Sequence, residues 1–143
     1  MKSTAILALF AAFALPAFAD TVQVTYNTIY DDPSNSLSIT ACSNGANGLL
    51  TKGYTTFDSL PNFPYIGGIP GLTWNSTECG SCWELTYTEA SGATNTINVL
   101  AVDGAWTFNL SLEAMNALTG GIAVEKGTVT ATAAKVDPSV CGM

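Results

Sequence analysis

Apolar and polar positions alternate along most of this chain. In Thr21-Val22-Gln23-Val24-Thr25-Tyr26, Val22 and Val24 face one way and Thr and Gln the other, the period of a half-buried strand. The same alternation recurs in 83–88 (Trp-Glu-Leu-Thr-Tyr-Thr) and in 127–136, from Gly127 to Val136. The segment 94–102 differs: Ile97, Val99, Leu100, Ala101 and Val102 are apolar enough for a strand buried on both faces. Ala90-Ser91-Gly92-Ala93 supplies a hairpin turn between two of these strands. A helical period appears once, in Leu110, Leu112, Met115 and Leu118, with Asn109 or Ser111 as cap and Gly120-Gly121 as stop. A shorter helical turn is expected from Thr55 to Leu60, ended by Pro61, and the Pro- and Gly-rich 61–72 reads as an ordered loop. Many short strands with few helices predict a small β-barrel.

The N-terminus carries a different pattern. Lys2, an unbroken apolar run over 5–15 and the small residues of Ala17-Phe18-Ala19 read as a secretory signal peptide over residues 1–19. The apolar run is shorter than the about 20 residues a membrane span needs. Residues 20–143 then form one domain by size, expected to be secreted and extracellular. Without Lys2, only Lys52, Lys126 and Lys135 oppose 11 acidic residues, a net charge of about −8. That balance excludes a basic footprint for nucleic acid and disfavours anionic membranes. The chain has no histidine, which removes Ser-His-Asp and Cys-His catalysis and His-based metal sites. No metal or cofactor is expected.

The four cysteines are Cys42, Cys79, Cys82 and Cys141. Cys79-Gly80-Ser81-Cys82 is a C-x-x-C, which can be a redox dithiol, half of a zinc site or two separate half-cystines. A redox motif would open a helix, whereas a strand pattern follows here at once. A four-thiolate zinc site lacks its second C-x-x-C. Two structural disulfides fit an oxidising compartment best, with three pairings open.

With histidine absent, carboxylates must supply any acid–base chemistry. Asp103 ends the most apolar strand and precedes Gly104, where strand ends open into functional loops. Trp106 and Asn109 follow closely, and Tyr26, Tyr30 and Asp31 form a second cluster. Aromatic faces with Asp and Asn hydrogen bonders are the components of a sugar-binding groove. The plainer roles are that Asp103 satisfies its own turn, that Asp31-Asp32-Pro33 is an exposed turn, and that Trp83 is core. A glycosidase would need a second carboxylate, Asp31, at about 5–9.5 Å from Asp103. Asn75-Ser76-Thr77 and Asn109-Leu110-Ser111 are N-glycosylation sequons.

The stretches "TACSNGANGLLTKGYTTFDSLPNFPYIGG" (40–68), "ECGSCWELTYT", "TINVLAVD" and "VCGM" resemble, in order, the cerato-platanin family of small secreted fungal proteins. The resemblance runs from about Val22 to the C-terminus. It implies a six-stranded double-ψ β-barrel related to the first domain of expansins, with one or two short helices and the pairing Cys42–Cys79 and Cys82–Cys141. It implies a non-catalytic protein that binds chitin-type N-acetylglucosamine oligomers in a shallow groove and loosens wall polysaccharide. It also implies elicitation of plant defence through a plant receptor and self-assembly at interfaces by an otherwise monomeric protein. Carried over by position, Asp103 corresponds to the aspartate shared with expansins. Asn109, Tyr26, Tyr30, Asp31, Ser43, Asn44, Gly45 and Gly80 fall in stretches resembling the groove lining. The chain departs from the family pattern in Asn27, in Trp106, and in Ala101 where expansins carry histidine.

Overall fold

Alternating Val and Thr side chains need an apolar layer on one side only, and in this chain six strands curl around a single such layer. The computed structural model describes residues 18–143, so the expected leader lies almost wholly outside the described residues. The strands are β1 (Asp20–Tyr26), β2 (Ile66–Pro70), β3 (Cys82–Thr88), β4 (Thr94–Ala105), β5 (Phe108–Leu110) and β6 (Thr128–Val136). They close in the order β1-β5-β2-β4-β3-β6, with β1–β5 and β2–β4 parallel and the other pairs antiparallel. This is the six-stranded barrel that the resemblance implied. Closure pairs every strand on both sides and leaves no free sheet edge.

Register follows the alternation. Val24 lies opposite Val129 on β6 and Phe108 on β5, all three buried. Leu85 lies opposite Ala133, and small alanines at 131 and 133 leave room for the larger side chains around them. Trp83, expected in the core, is half-buried and meets the Phe108 ring edge-on, at 5.5 Å and 70°. β4 is longer than its apolar run and carries on through Asp103 to Ala105.

Two strands were not legible in the pattern. Ile66–Pro70 lies within the stretch read as a loop, yet it pairs with both β4 and β5. A β-carbon on Gly67 would stand 2.4 Å from the Asn109 carbonyl oxygen, so the residue that hides the strand pattern is what lets the backbones meet. β5 has three residues, too few to show a period. Asn109 therefore sits in a strand, and the cap of α1 (Leu112–Thr119) is Ser111, whose Oγ accepts from Ala114 N at 3.1 Å. Met115 and Leu118 bury the helix against the barrel, and it ends at Gly120. A second, four-residue helix, α2 (Ala123–Lys126), falls within the one or two short helices implied, at a position the sequence pattern did not mark. The expected turn near 55–60 is a single 3-10 turn at Phe57–Ser59.

All four cysteines are paired: Cys42 with Cys79 and Cys82 with Cys141. The two C-x-x-C cysteines thus bridge away from each other. The first bond ties the 40–45 loop to the entry of β3, and the second ties β3 to the C-terminus. Among the described residues, no helix is long and apolar enough to cross a membrane.

Candidate functional site

The apolar run of β4 is wholly buried from Val99 to Val102, and Asp103 is the first side chain beyond it that reaches solvent. Its carboxylate is held from three directions. Oδ2 accepts from the Tyr30 hydroxyl at 3.0 Å; Oδ1 accepts from the backbone N–H groups of Ala41 and Gly104, both at 2.9 Å. A carboxylate has about four lone-pair sites, so roughly one stays open. Tyr30 reaches Asp103 from a 3-10 turn at Thr28–Asp31 and is only 4% exposed, its ring packed 6.0 Å from that of Phe57. Burial, and then the Asp103 charge and hydrogen bond, push the Tyr30 hydroxyl well above its ordinary pKa.

Around Asp103 lies an open cleft of about 440 Å³, walled by Ala41, Leu72, Thr73, Gly104, Ala105 and Trp106. Gly104 makes one wall feasible: a β-carbon there would fall 2.0 Å from the Leu72 carbonyl oxygen. On the rim Trp106 is 99% exposed, so its whole indole is open to a ligand. Next in the chain after Thr73, and outside the cleft lining, Trp74 is 59% exposed and its Nε1 donates to Asn44 Oδ1 at 2.7 Å. Gly45 lies against that ring, where a β-carbon would come within 3.2 Å of Cζ2. One carboxylate acceptor, a threonine hydroxyl and the open indole of Trp106 give a surface suited to a polyhydroxylated chain. The ring covers an apolar sugar face and the polar atoms take hydroxyls.

The ten candidate residues are therefore dispersed. Asp103 and Trp106 line the cleft. Ser43, Asn44 and Gly45 form the loop beside Trp74, with Ser43 Oγ 3.4 Å from Asn44 Oδ1. Tyr30 supports Asp103 from below and offers no open ring face, because its ring is core. Asp31 turns away: Oδ2 and Oδ1 accept from Leu112 N at 2.7 Å and Glu113 N at 3.0 Å, capping α1. Asp32, beside it, accepts from the backbone and hydroxyl of Ser34, which hold its carboxyl below the usual range in an exposed turn. Asn109 lies outside the cleft, its Oδ1 accepting from Thr25 Oγ1 at 3.0 Å. Tyr26 is packed onto the core at the end of β1. Gly80 lines a separate cleft of about 430 Å³ with Lys52 and Lys135. Trp74 and Thr73 were missed by sequence reasoning. A lone tryptophan in a Gly-rich polar loop was the available signal at Trp74, as it was at Trp106.

The departures at positions 27 and 101 have local explanations. Asn27 caps the turn that carries Tyr30, its Oδ1 accepting from Ile29 N at 3.0 Å. Ala101 is fully buried between its neighbours on β4.

Comparison with known proteins agrees with this architecture. The profile of the Cerato-platanin family matches residues 22–143. The chain is 39% identical to the heat-stable 19 kDa antigen of Coccidioides immitis over 150 residues, covering 100% of this chain and 99% of that protein. Its structure is similar to that of cerato-platanin 2 from M. perniciosa, with TM-score 0.82 and 40% identity, over 87% of this chain and 100% of that one. It is also similar to the solution structure of the fungal elicitor Cerato-Platanin, with TM-score 0.69 and 36% identity over 84% and 96% of the two chains. In sequence, barrel topology and disulfide framework, the chain belongs to the cerato-platanin family.

Proposed function

We propose that this chain is a secreted, non-catalytic protein that binds chitin-type N-acetylglucosamine oligomers in the cleft at Asp103. One observation carries the reading: a fully exposed indole stands on the rim of a cleft whose floor is a carboxylate held in place. A sugar ring seated on Trp106 directs its hydroxyls and acetamido N–H toward Asp103. The cleft is shallow and wet, so most sugar hydrogen bonds replace sugar–water ones and affinity is modest. Weak occupancy of wall polysaccharide along such a surface would loosen chain–chain contacts without breaking bonds. Elicitor action, the property named for one similar structure, would follow from the same secreted protein meeting a plant surface.

The rival hydrolase required Asp31 as the second carboxylate. Both Asp31 oxygens are engaged at the N-terminus of α1, and Asp103 is the one carboxylate in the cleft wall. That arrangement favours binding over acid–base hydrolysis.

The test is an NMR titration of the disulfide-bonded protein with chitotetraose, with mass spectrometry of the sugar in the same tube. Shifts should cluster at Asp103, Thr73 and Trp106 while the sugar stays intact. Trp106→Ala removes an exposed ring without disturbing the core and should weaken binding about tenfold, the effect of losing roughly 1.4 kcal/mol. Asp103→Asn should weaken it comparably, because a charge-assisted hydrogen bond becomes a neutral one. Undiminished binding by both variants would overturn the site, and cleaved sugar would overturn the non-catalytic reading.

A further inference from the structure

We propose that Asn75 carries an N-linked oligosaccharide while the second sequon, at Asn109, stays bare. The proposal rests on residues 1–19 acting as a secretory signal, since the glycan is added on entry to that pathway. It does not depend on the sugar-binding reading of the cleft.

The two sequons differ in backbone setting and in the burial of their third residue. Asn75 lies in the turn between β2 and β3, in no strand pair, at φ 59°. Its Oδ1 accepts from Asn47 N and its carbonyl oxygen from Asn47 Nδ2, both at 3.0 Å. The amide is thereby oriented by its oxygen alone. Among the described residues Nδ2 has no hydrogen-bond partner, and it is not one of the solvent-buried unpartnered atoms, so it reaches water. Glycosylation leaves that oxygen untouched. Nδ2 displaces the polyisoprenyl diphosphate of a lipid-linked oligosaccharide from C1 of N-acetylglucosamine. One N–C bond forms, one C–O bond breaks, and an amide proton leaves. The Asn47 hydrogen bonds survive. Thr77, the sequon's third residue, is exposed.

Asn109 matches Asn75 at the side-chain amide, with Oδ1 accepting from Thr25 Oγ1 and Nδ2 unpartnered among the described residues, and differs in its backbone and in its sequon hydroxyl. It lies in β5, hydrogen-bonded between β1 and β2, with buried Phe108 and Leu110 on either side. Its sequon serine, Ser111, is fully buried, donates to the Pro64 carbonyl oxygen at 2.5 Å and caps α1. A glycan added there would have to be accommodated against Thr25 and Thr107 as β5 enters the barrel. Chains glycosylated at Asn109 would fold poorly, so the secreted product is bare at that position.

A glycan on Asn75 stands beside the exposed Trp74 ring.

The experiment expresses the full chain in a fungal secretory host and measures the intact mass of the secreted protein before and after peptide N-glycosidase digestion in heavy-oxygen water. The mass should fall on digestion, and peptide mapping should place the heavy-oxygen aspartate at position 75 alone. Asn75→Gln should abolish the mass loss, whereas Asn109→Gln should leave it unchanged. A secreted protein unmodified at Asn75, or one labelled at position 109, overturns the proposal. A chain retained inside the cell without glycan overturns the signal-peptide reading and the proposal with it.

Discussion

Tyr30 and Asp103 lie 73 positions apart and meet through one 3.0 Å hydrogen bond, the contact on which the cleft floor depends. Asp103 stood out in the sequence because it ends the most apolar strand. Tyr30 looked like a ring for a ligand, and only its burial shows that its hydroxyl is the working part. The raised pKa of Tyr30 has a definite consequence. The folded state favours the protonated phenol, so its contribution is fully present below about pH 10, the ordinary tyrosine value. It is lost as pH rises from there toward the elevated folded value. Urea midpoints of the wild type and Tyr30→Phe, measured against pH, should keep a constant gap up to about pH 10. Above that the wild type should lose stability relative to the variant, which has no phenol to ionise. A gap that stays constant at higher pH would show that Tyr30 is not held protonated by the fold.

At the scale of elements, β1, β3, β4, β6 and α1 were legible because each carries enough residues to show a period. β2 and β5 were not. Ile66-Gly67-Gly68-Ile69-Pro70 has the composition of a loop, and its strand character comes from pairing with β4 and β5, not from its own side chains. The start of α1 was narrowed to two residues, and Ser111 proved to be the cap. The helix also draws a second capping group from far away, Asp31, 81 positions before Leu112. Asp31→Ala should therefore destabilise the protein by about 1 kcal/mol, the usual worth of an N-terminal carboxylate and its hydrogen bonds. It should leave the chitotetraose-induced shifts at Asp103 unchanged. Equilibrium urea unfolding checks the first, and a repeat of the titration checks the second. Loss of binding without loss of stability would return Asp31 to the site.

Across the whole molecule the two disulfides act on the unfolded chain. They span 37 and 59 residues, so loop-closure entropy assigns each a stabilisation of about 4 kcal/mol. The longer loop is worth ~0.4 kcal/mol more on the same relation. Replacing Cys82 and Cys141 together by alanine should lower the unfolding free energy by about that 4 kcal/mol. Replacing Cys42 and Cys79 should cost slightly less in stability. It should also loosen the loop that presents Ala41 to Asp103 and broaden the amide signals of 40–45 in NMR spectra. Equal spectra for the two double variants would show that the first disulfide does not position the cleft.

The amino-acid sequence by itself determined the β-rich class, the main helix, the disulfide-bonded character and, through resemblance, the family and the cysteine pairing. Each of these is carried by local periodicity, by a count, or by motifs in a fixed order. The tertiary structure alone decided the membership of the cleft. Ala41, Leu72, Thr73 and Trp106 come from three separate segments and meet only once the barrel has closed and β2 has paired in parallel with β4. The same closure turned Asp31 toward α1 and sent Gly80 to the other cleft. Periodicity reports which side chains leave water. Which of them face one another is settled by strand register and by loops crossing the barrel, and these are contacts between distant segments that no local pattern encodes.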